Sequence, residues 1–234
     1  MTSIQKKSGL WMIPLTTLLH LAAMIGFITL FVDLAVEIWR KEGFAWDAPV
    51  ALAIHHTSRP WLDGTMRAIS ASGGSLAILL VIGCVVWFGW RGQLAQAATL
   101  LISFTGAIAL NTLLKVLFAR PHPNLFPPLI AESGYSFPSG HTIAAVAFYG
   151  LLAVWLWRQQ YHGWAIVAGV WVVAIGISRV YLGAHYPSDV LASWAIGGLW
   201  LLAIVALYNW YEQRTQYQIS LTHDQPKENH PFLS

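Results

Sequence analysis

The stretch AQAATLLISFTGAIALNTLLKVLFARPHP, residues 95–123, opens with twenty uncharged residues and closes on Lys115, Arg120, His122 and two prolines. A bilayer core takes about 20 mostly apolar residues per helix. The run therefore predicts a membrane-crossing helix over 95–118. Lys115 falls about one turn inside its end. A charge at the centre of such a helix costs about 2.5–3.5 kcal/mol. Lys115 must therefore either snorkel to the interface or serve a site.

The same pattern recurs along the chain. Segments 11–36, 73–90, 141–157, 163–182 and 189–210 also meet the length and polarity of a span. The expectation is an all-α polytopic membrane protein, a bundle of six transmembrane helices. Composition agrees: 56% of the 234 residues are hydrophobic, 10% are charged, and the mean hydropathy is +0.56. A soluble domain carries roughly 25% charged residues. The 13 tryptophans fit a bilayer interface. The net charge of +3 comes without a basic block, which speaks against nucleic acid as a partner. Cys84 is the sole cysteine, so no intrachain disulfide can form.

Lys6 and Lys7 precede an apolar stretch over 10–39, about twice the length of a signal-peptide core. It reads as a retained first helix. The first loop, RKEGFAWDAPVALAIHHTSRPWLDGTMRAIS (residues 40–70), is mixed in polarity and suits one or two short interfacial helices. Residues 119–140 form a proline-rich polar loop. One domain is expected over 1–211, followed by a polar, mobile tail over 212–234. There is no internal repeat and no signal for oligomeric state. Six spans place both termini on one side, with Lys6, Lys7, Arg91, Arg158, Arg214 and Lys227. Arg40, Lys41, Arg59, Arg67, Lys115, Arg120 and Arg179 fall on the other. If function holds the last three, the remaining bias mildly favours cytoplasmic termini.

Two further clusters share the side of Lys115. SFPSGH, residues 136–141, places Ser139 and Gly140 at the start of an apolar helix. There unpaired N–H groups and the helix dipole suit an anion. SRVYLGAHYPSD, residues 178–189, holds Arg179, His185 and Asp189. The last two are four apart and can share a face. A carboxylate on one ring nitrogen would leave the other free to attack. Each cluster alone also reads as an ordinary turn or interfacial loop. Together they assemble cations, donors, two histidines and a carboxylate, an inventory that suits a phosphate ester. No metal-ligand spacing stands out.

These residues resemble the type 2 phosphatidic acid phosphatase (PAP2) superfamily of membrane lipid phosphatases. The family pattern is Lys, six residues, Arg-Pro; then Pro-Ser-Gly-His; then Ser-Arg, five residues, His, three residues, Asp. The second and third parts are complete here, at 138–141 and 178–189. The resemblance implies that His185 is a nucleophile forming a phosphohistidine, that Asp189 orients it, and that His141 protonates the leaving oxygen. It assigns Lys115, Ser139, Gly140 and Arg179 to the phosphate, with no metal or cofactor. The first part departs: six residues after Lys115 stands His122-Pro123, while Arg120-Pro121 comes two positions early. His122 is expected at the family's arginine position, with Arg120 nearby.

The implied protein is a lipid phosphatase of a bacterial inner membrane with its site on the outer face. Phosphatidylglycerol phosphate, phosphatidic acid and undecaprenyl diphosphate all fit. A lipid phosphotransferase on the same scaffold and a non-catalytic transporter are the alternatives. The remaining polar residues are expected in lesser roles. His20 packs or sits at the interface, His55 and His56 are solvated, Ser103 and Asn111 bond between helices, and Asp33 and Glu37 face water.

Overall fold

The computed structural model describes residues 15–223; Lys6, Lys7, Lys227 and the end of the expected tail lie outside the described residues. Eight helices are described. They are α1 (Leu15–Trp39), α2 (Asp47–His55), α3 (Pro60–Ala71), α4 (Ser75–Trp90), α5 (Leu94–Phe118), α6 (Gly140–Arg158), α7 (His162–Tyr181) and α8 (Pro187–His223). A π turn, Val146–Gly150, interrupts α6.

Five of them, α1, α5, α6, α7 and α8, are long and apolar enough to cross a membrane. The 16 residues of α4 span about 24 Å at 1.5 Å per residue. That falls short of a ~30 Å hydrocarbon core. Only if it is counted with α3, from which it bends by 42°, does the pair make a sixth candidate span. The all-helical membrane architecture expected from the sequence is thus what the chain builds, with five spans by length and composition and six if the α3–α4 pair is one broken span.

Local chemistry sets the ends. α5 stops where Ala119 turns left-handed (φ 45°), just ahead of Pro121 and Pro123, which cannot continue a helix. α8 starts on Pro187, whose fixed φ suits a first helical turn. It does not stop at Tyr211 but runs on to His223. The polar residues after Tyr211 include good helix formers such as Glu212, Gln213 and Arg214, and the next proline is Pro226. Polarity ends the membrane-facing part there, not the helix.

α6 is central and packs against α5, α7 and α8. Leu100 and Phe104 of α5, Phe148 and Leu151 of α6, Val81 of α4 and Ile204 of α8 form the main apolar core. Close helix approach relies on small residues, as expected in lipid. A Cβ on Gly106 would sit 2.3 Å from the Trp200 ring. Two polar side chains of α5 bond to α6 and the residue before Ser139: Ser103 donates to the Ala147 carbonyl at 2.9 Å and Asn111 to the Pro138 carbonyl at 3.1 Å. The short 182–186 turn makes α7 and α8 antiparallel, and the longer 119–139 loop brings the start of α6 back beside the end of α5, where Gly140 meets Lys115. The last turns of α5 and α7 therefore meet the first turns of α6 and α8 at one end. α2, α3 and the 119–139 loop gather over that end.

Candidate active site

The centre of this end is His185, 1% exposed, in the short turn between α7 and α8. Asp189, in the first turn of α8, is fully buried beside it. The two do not bond directly: His185 Nδ1 lies 3.6 Å from Asp189 Oδ2. The Ser136 hydroxyl stands between them. It donates to Asp189 Oδ2 and lies 3.3 Å from His185 Nδ1. Its one proton is committed to the carboxylate, so Nδ1–H must donate to the Ser136 oxygen. That fixes the tautomer and leaves a lone pair on Nε2, which is buried without a hydrogen-bond partner. Burial pushes the imidazole down to about 4, against the pull of Asp189 and helped by the Arg179 charge. It is neutral at pH 7.

Cations and donors surround it. Arg179, in the last turn of α7, is 0% exposed. One terminal nitrogen donates to Ser70 Oγ of α3 and the other is ion-paired to Glu132, while Nε has no partner. Lys115 donates to the Tyr135 carbonyl. Ser139 precedes the first turn of α6, and its hydroxyl accepts from Thr142 at 3.0 Å. A Cβ on Gly140 would lie 3.1 Å from Asn111 Oδ1 and 3.9 Å from Lys115 Cε. Gly140 thus lets α5 and the helix N-terminus approach closely. His141 packs under the break between α3 and α4, where a Cβ on Gly74 would lie 2.4 Å from its Nε2.

His122 and Arg120 part company. The His122 ring stands 5.2 Å from that of His185. Its Nδ1–H donates to the Ala184 carbonyl at 2.6 Å, and its Nε2 is buried and unpartnered. Arg120 turns to carboxylates instead. It bonds Asp189 Oδ1 at 2.6 Å, Ser188 Oγ at 2.8 Å and Asp47 Oδ2 at 2.8 Å, with its guanidinium 4.1 Å over the Tyr186 ring. It therefore supports Asp189 from behind.

Several participants escaped the sequence reading. Asp47 of α2 is 2% exposed and accepts from the Ser188 backbone N–H at 2.9 Å and its hydroxyl at 2.6 Å. It lies 141 residues away in sequence, and only tertiary structure brings it here. Ser136 opens SFPSGH, but nothing in that pattern distinguishes a bridging hydroxyl from a turn residue. Glu132 and Ser70 carried no signal. His55 corrects the expectation of a solvated side chain: it is half-buried, stacks on Phe126 at 3.6 Å and lies 3.4 Å from the Tyr181 carbonyl. Among the described residues, no three His, Cys, Asp or Glu side chains gather as a metal cradle.

An all-helical membrane bundle with buried cations and a free imidazole nitrogen at one end has the build of a membrane phosphatase. Known proteins agree. The PAP2 superfamily pattern matches residues 96–213. The chain is 33% identical over 185 residues to phosphatidylglycerophosphatase B of Bacillus subtilis, covering 74% of this chain and 88% of that one. It is 28% identical over 185 residues to the undecaprenyl-diphosphatase of Sulfolobus acidocaldarius, covering 73% and 85%. The crystal structure of a transmembrane PAP2-type phosphatidylglycerolphosphate phosphatase from Bacillus subtilis superposes with a TM-score of 0.70 at 30% identity, over 82% of this chain and 96% of that one. The chain belongs to the PAP2 superfamily and is a membrane phosphatase of that type.

Proposed function

We propose that the protein hydrolyses a phosphomonoester or diphosphate of a membrane lipid through a phosphohistidine on His185. The observation that carries this is the buried, unpartnered Nε2 of His185, held neutral with its proton on Nδ1. A buried polar atom without a partner is costly, and here it is the atom that would attack. The unpartnered Nε of Arg179 and Nε2 of His122 are further buried nitrogens of the same site.

In the first step Nε2 forms a bond to phosphorus while the bond to the lipid oxygen breaks. His141 hands its proton to that oxygen. In the second, His141 takes a proton from water, the oxygen attacks phosphorus, and the N–P bond breaks to release phosphate and free His185. Arg179, Lys115, Ser139 and the first N–H groups of α6 stabilise the charge on the phosphoryl oxygens. As His185 turns cationic, the Asp189 carboxylate, 3.6 Å from Nδ1, stabilises the charge directly, and the Ser136 oxygen keeps Nδ1–H hydrogen-bonded. Side-chain cations carry the neutralisation that a divalent metal supplies in other phosphoryl-transfer sites, so the reaction proceeds without one. The reacting end faces away from the cytoplasm.

Phosphatidylglycerol phosphate is the first substrate to test, because the Bacillus relative and the superposed structure are both named for it. A panel of phosphatidylglycerol phosphate, phosphatidic acid and undecaprenyl diphosphate, each assayed with EDTA, tests substrate and metal independence together. Release of free phosphate with EDTA present is expected. Activity that EDTA abolishes and magnesium restores would contradict the metal-free step.

A further inference from the structure

The groups proposed to hold phosphate are already occupied. Arg179 is ion-paired to Glu132 and Lys115 donates to the carbonyl of Tyr135. Both partners belong to one short piece of the 119–139 loop. Residues 131–135 are exposed there, yet the Glu132 side chain turns inward and is only 22% exposed. Gly134, between the two contacts, holds a left-handed φ of +78° with open space on every side of a built Cβ. One carboxylate oxygen and one carbonyl oxygen thus stand where phosphoryl oxygens would be held. The Glu132 charge also acts on His141 and His185. With Arg179 at 0% and His185 at 1% exposure, a substrate reaches them only if a covering group gives way.

We propose that Glu132 is a specificity-determining residue: its carboxylate is a resident anion in the phosphate cradle that a phosphomonoester or diphosphate displaces and a phosphodiester does not. The inference rests on the phosphate role of Arg179 and Lys115 proposed above. Its logic is charge exchange. A phosphodiester headgroup carries one negative charge, as does the carboxylate. Exchanging one for the other gains no attraction and loses the loop's contacts. A phosphomonoester above its second ionisation, near pH 6, brings two charges to the same cations and wins the exchange. Because the carboxylate is tethered, its effective concentration is set by the loop and not by dilution. A bilayer presents phosphodiester lipids in vast excess over any phosphomonoester, so a cradle without such a competitor would fill with the wrong headgroup. Discrimination arises here from a built-in repulsive element.

The test uses the full chain in mixed micelles at pH 7.5. Phosphatidylglycerol phosphate is the substrate, and phosphatidylglycerol and inorganic phosphate are the inhibitors. Glu132→Gln keeps the shape and removes the charge. It is expected to lower KM and the inhibition constant of inorganic phosphate about tenfold each. It should also make phosphatidylglycerol a competitive inhibitor at least about tenfold stronger than in the wild type. Glu132→Asp, which keeps the charge, should retain most of the discrimination. A merely structural loop contact would instead lower kcat or heat stability and leave the ratio of the two inhibition constants unchanged. KM and both inhibition constants within twofold of wild type in Glu132→Gln would overturn the inference. Arg179→Ala in the same assay separates the two levels. If it weakens phosphate inhibition while Glu132→Gln changes nothing, only the specificity role falls. If it leaves phosphate inhibition intact, the cradle itself is wrong and both fall.

Discussion

At His122 a single hydrogen bond decides what the side chain can offer. Its Nδ1–H is given to the Ala184 carbonyl, so a neutral ring presents a lone pair at Nε2. A lone pair repels a phosphoryl oxygen; only the imidazolium presents a second N–H. An arginine at this position would supply fixed donors at any pH. In the proposed reaction His185 must be neutral to attack, and its imidazole is pushed down to about 4, so its contribution is lost only as pH falls through about 4. The kcat profile at saturating substrate is therefore expected to hold its acid limb well below the ordinary histidine range, and an acid limb within that range would contradict the assignment. His122→Arg puts fixed donors where the neutral ring offers a lone pair, so it should lower KM and leave the acid limb of kcat in place. An unchanged KM in that variant would show that His122 does not hold the phosphate.

Among the elements, α2 matters more than its nine residues suggest. Asp47 at its start pins the first turn of α8 through Ser188 and holds Arg120, which in turn holds Asp189. Removing one partner from a buried ion pair typically costs about 3–5 kcal/mol. Asp47→Ala should accordingly lower the heat stability of the purified protein by several degrees and slow turnover without altering which lipid is preferred. Asp47→Asn, which still accepts from the Ser188 N–H, should recover part of both. The spans themselves were legible from their apolar runs, as was the meeting of residues 115, 139–141 and 179–189 at one end. The Asp47 link was not, because an Asp ahead of Ala-Pro reads equally well as a helix start. The shortness of α4, and its need for α3, follows from a bend that no periodicity records. The departure in the first motif was visible as spacing, but only the structure shows Arg120 spent on carboxylates and His122 left beside His185.

For the whole molecule, the bundle concentrates its candidate site at one end, while Arg91, Arg158 and Arg214 lie toward the other. Its flanks, such as Leu79, Val86, Leu113 and Val170, are apolar and exposed, the surface expected against lipid. In the proposed reaction the acyl chains stay in the bilayer against these flanks while the headgroup reaches the site. The proposed orientation is checked in a Cys84→Ala background. A membrane-impermeant thiol reagent applied to intact cells should label Thr57→Cys, beside the site, and spare Gln159→Cys until the membrane is opened. The reverse pattern would invert the topology. The central claim is that the phosphoryl group passes through His185. Rapid mixing with phosphatidylglycerol phosphate labelled on its terminal phosphate, an alkaline quench, and peptide mass spectrometry would locate it. The account predicts an acid-labile, alkali-stable phosphoryl group on His185, absent from His185→Ala, which should lack activity while remaining folded. Full turnover by His185→Ala, or a phosphoryl group found on another residue, would contradict it.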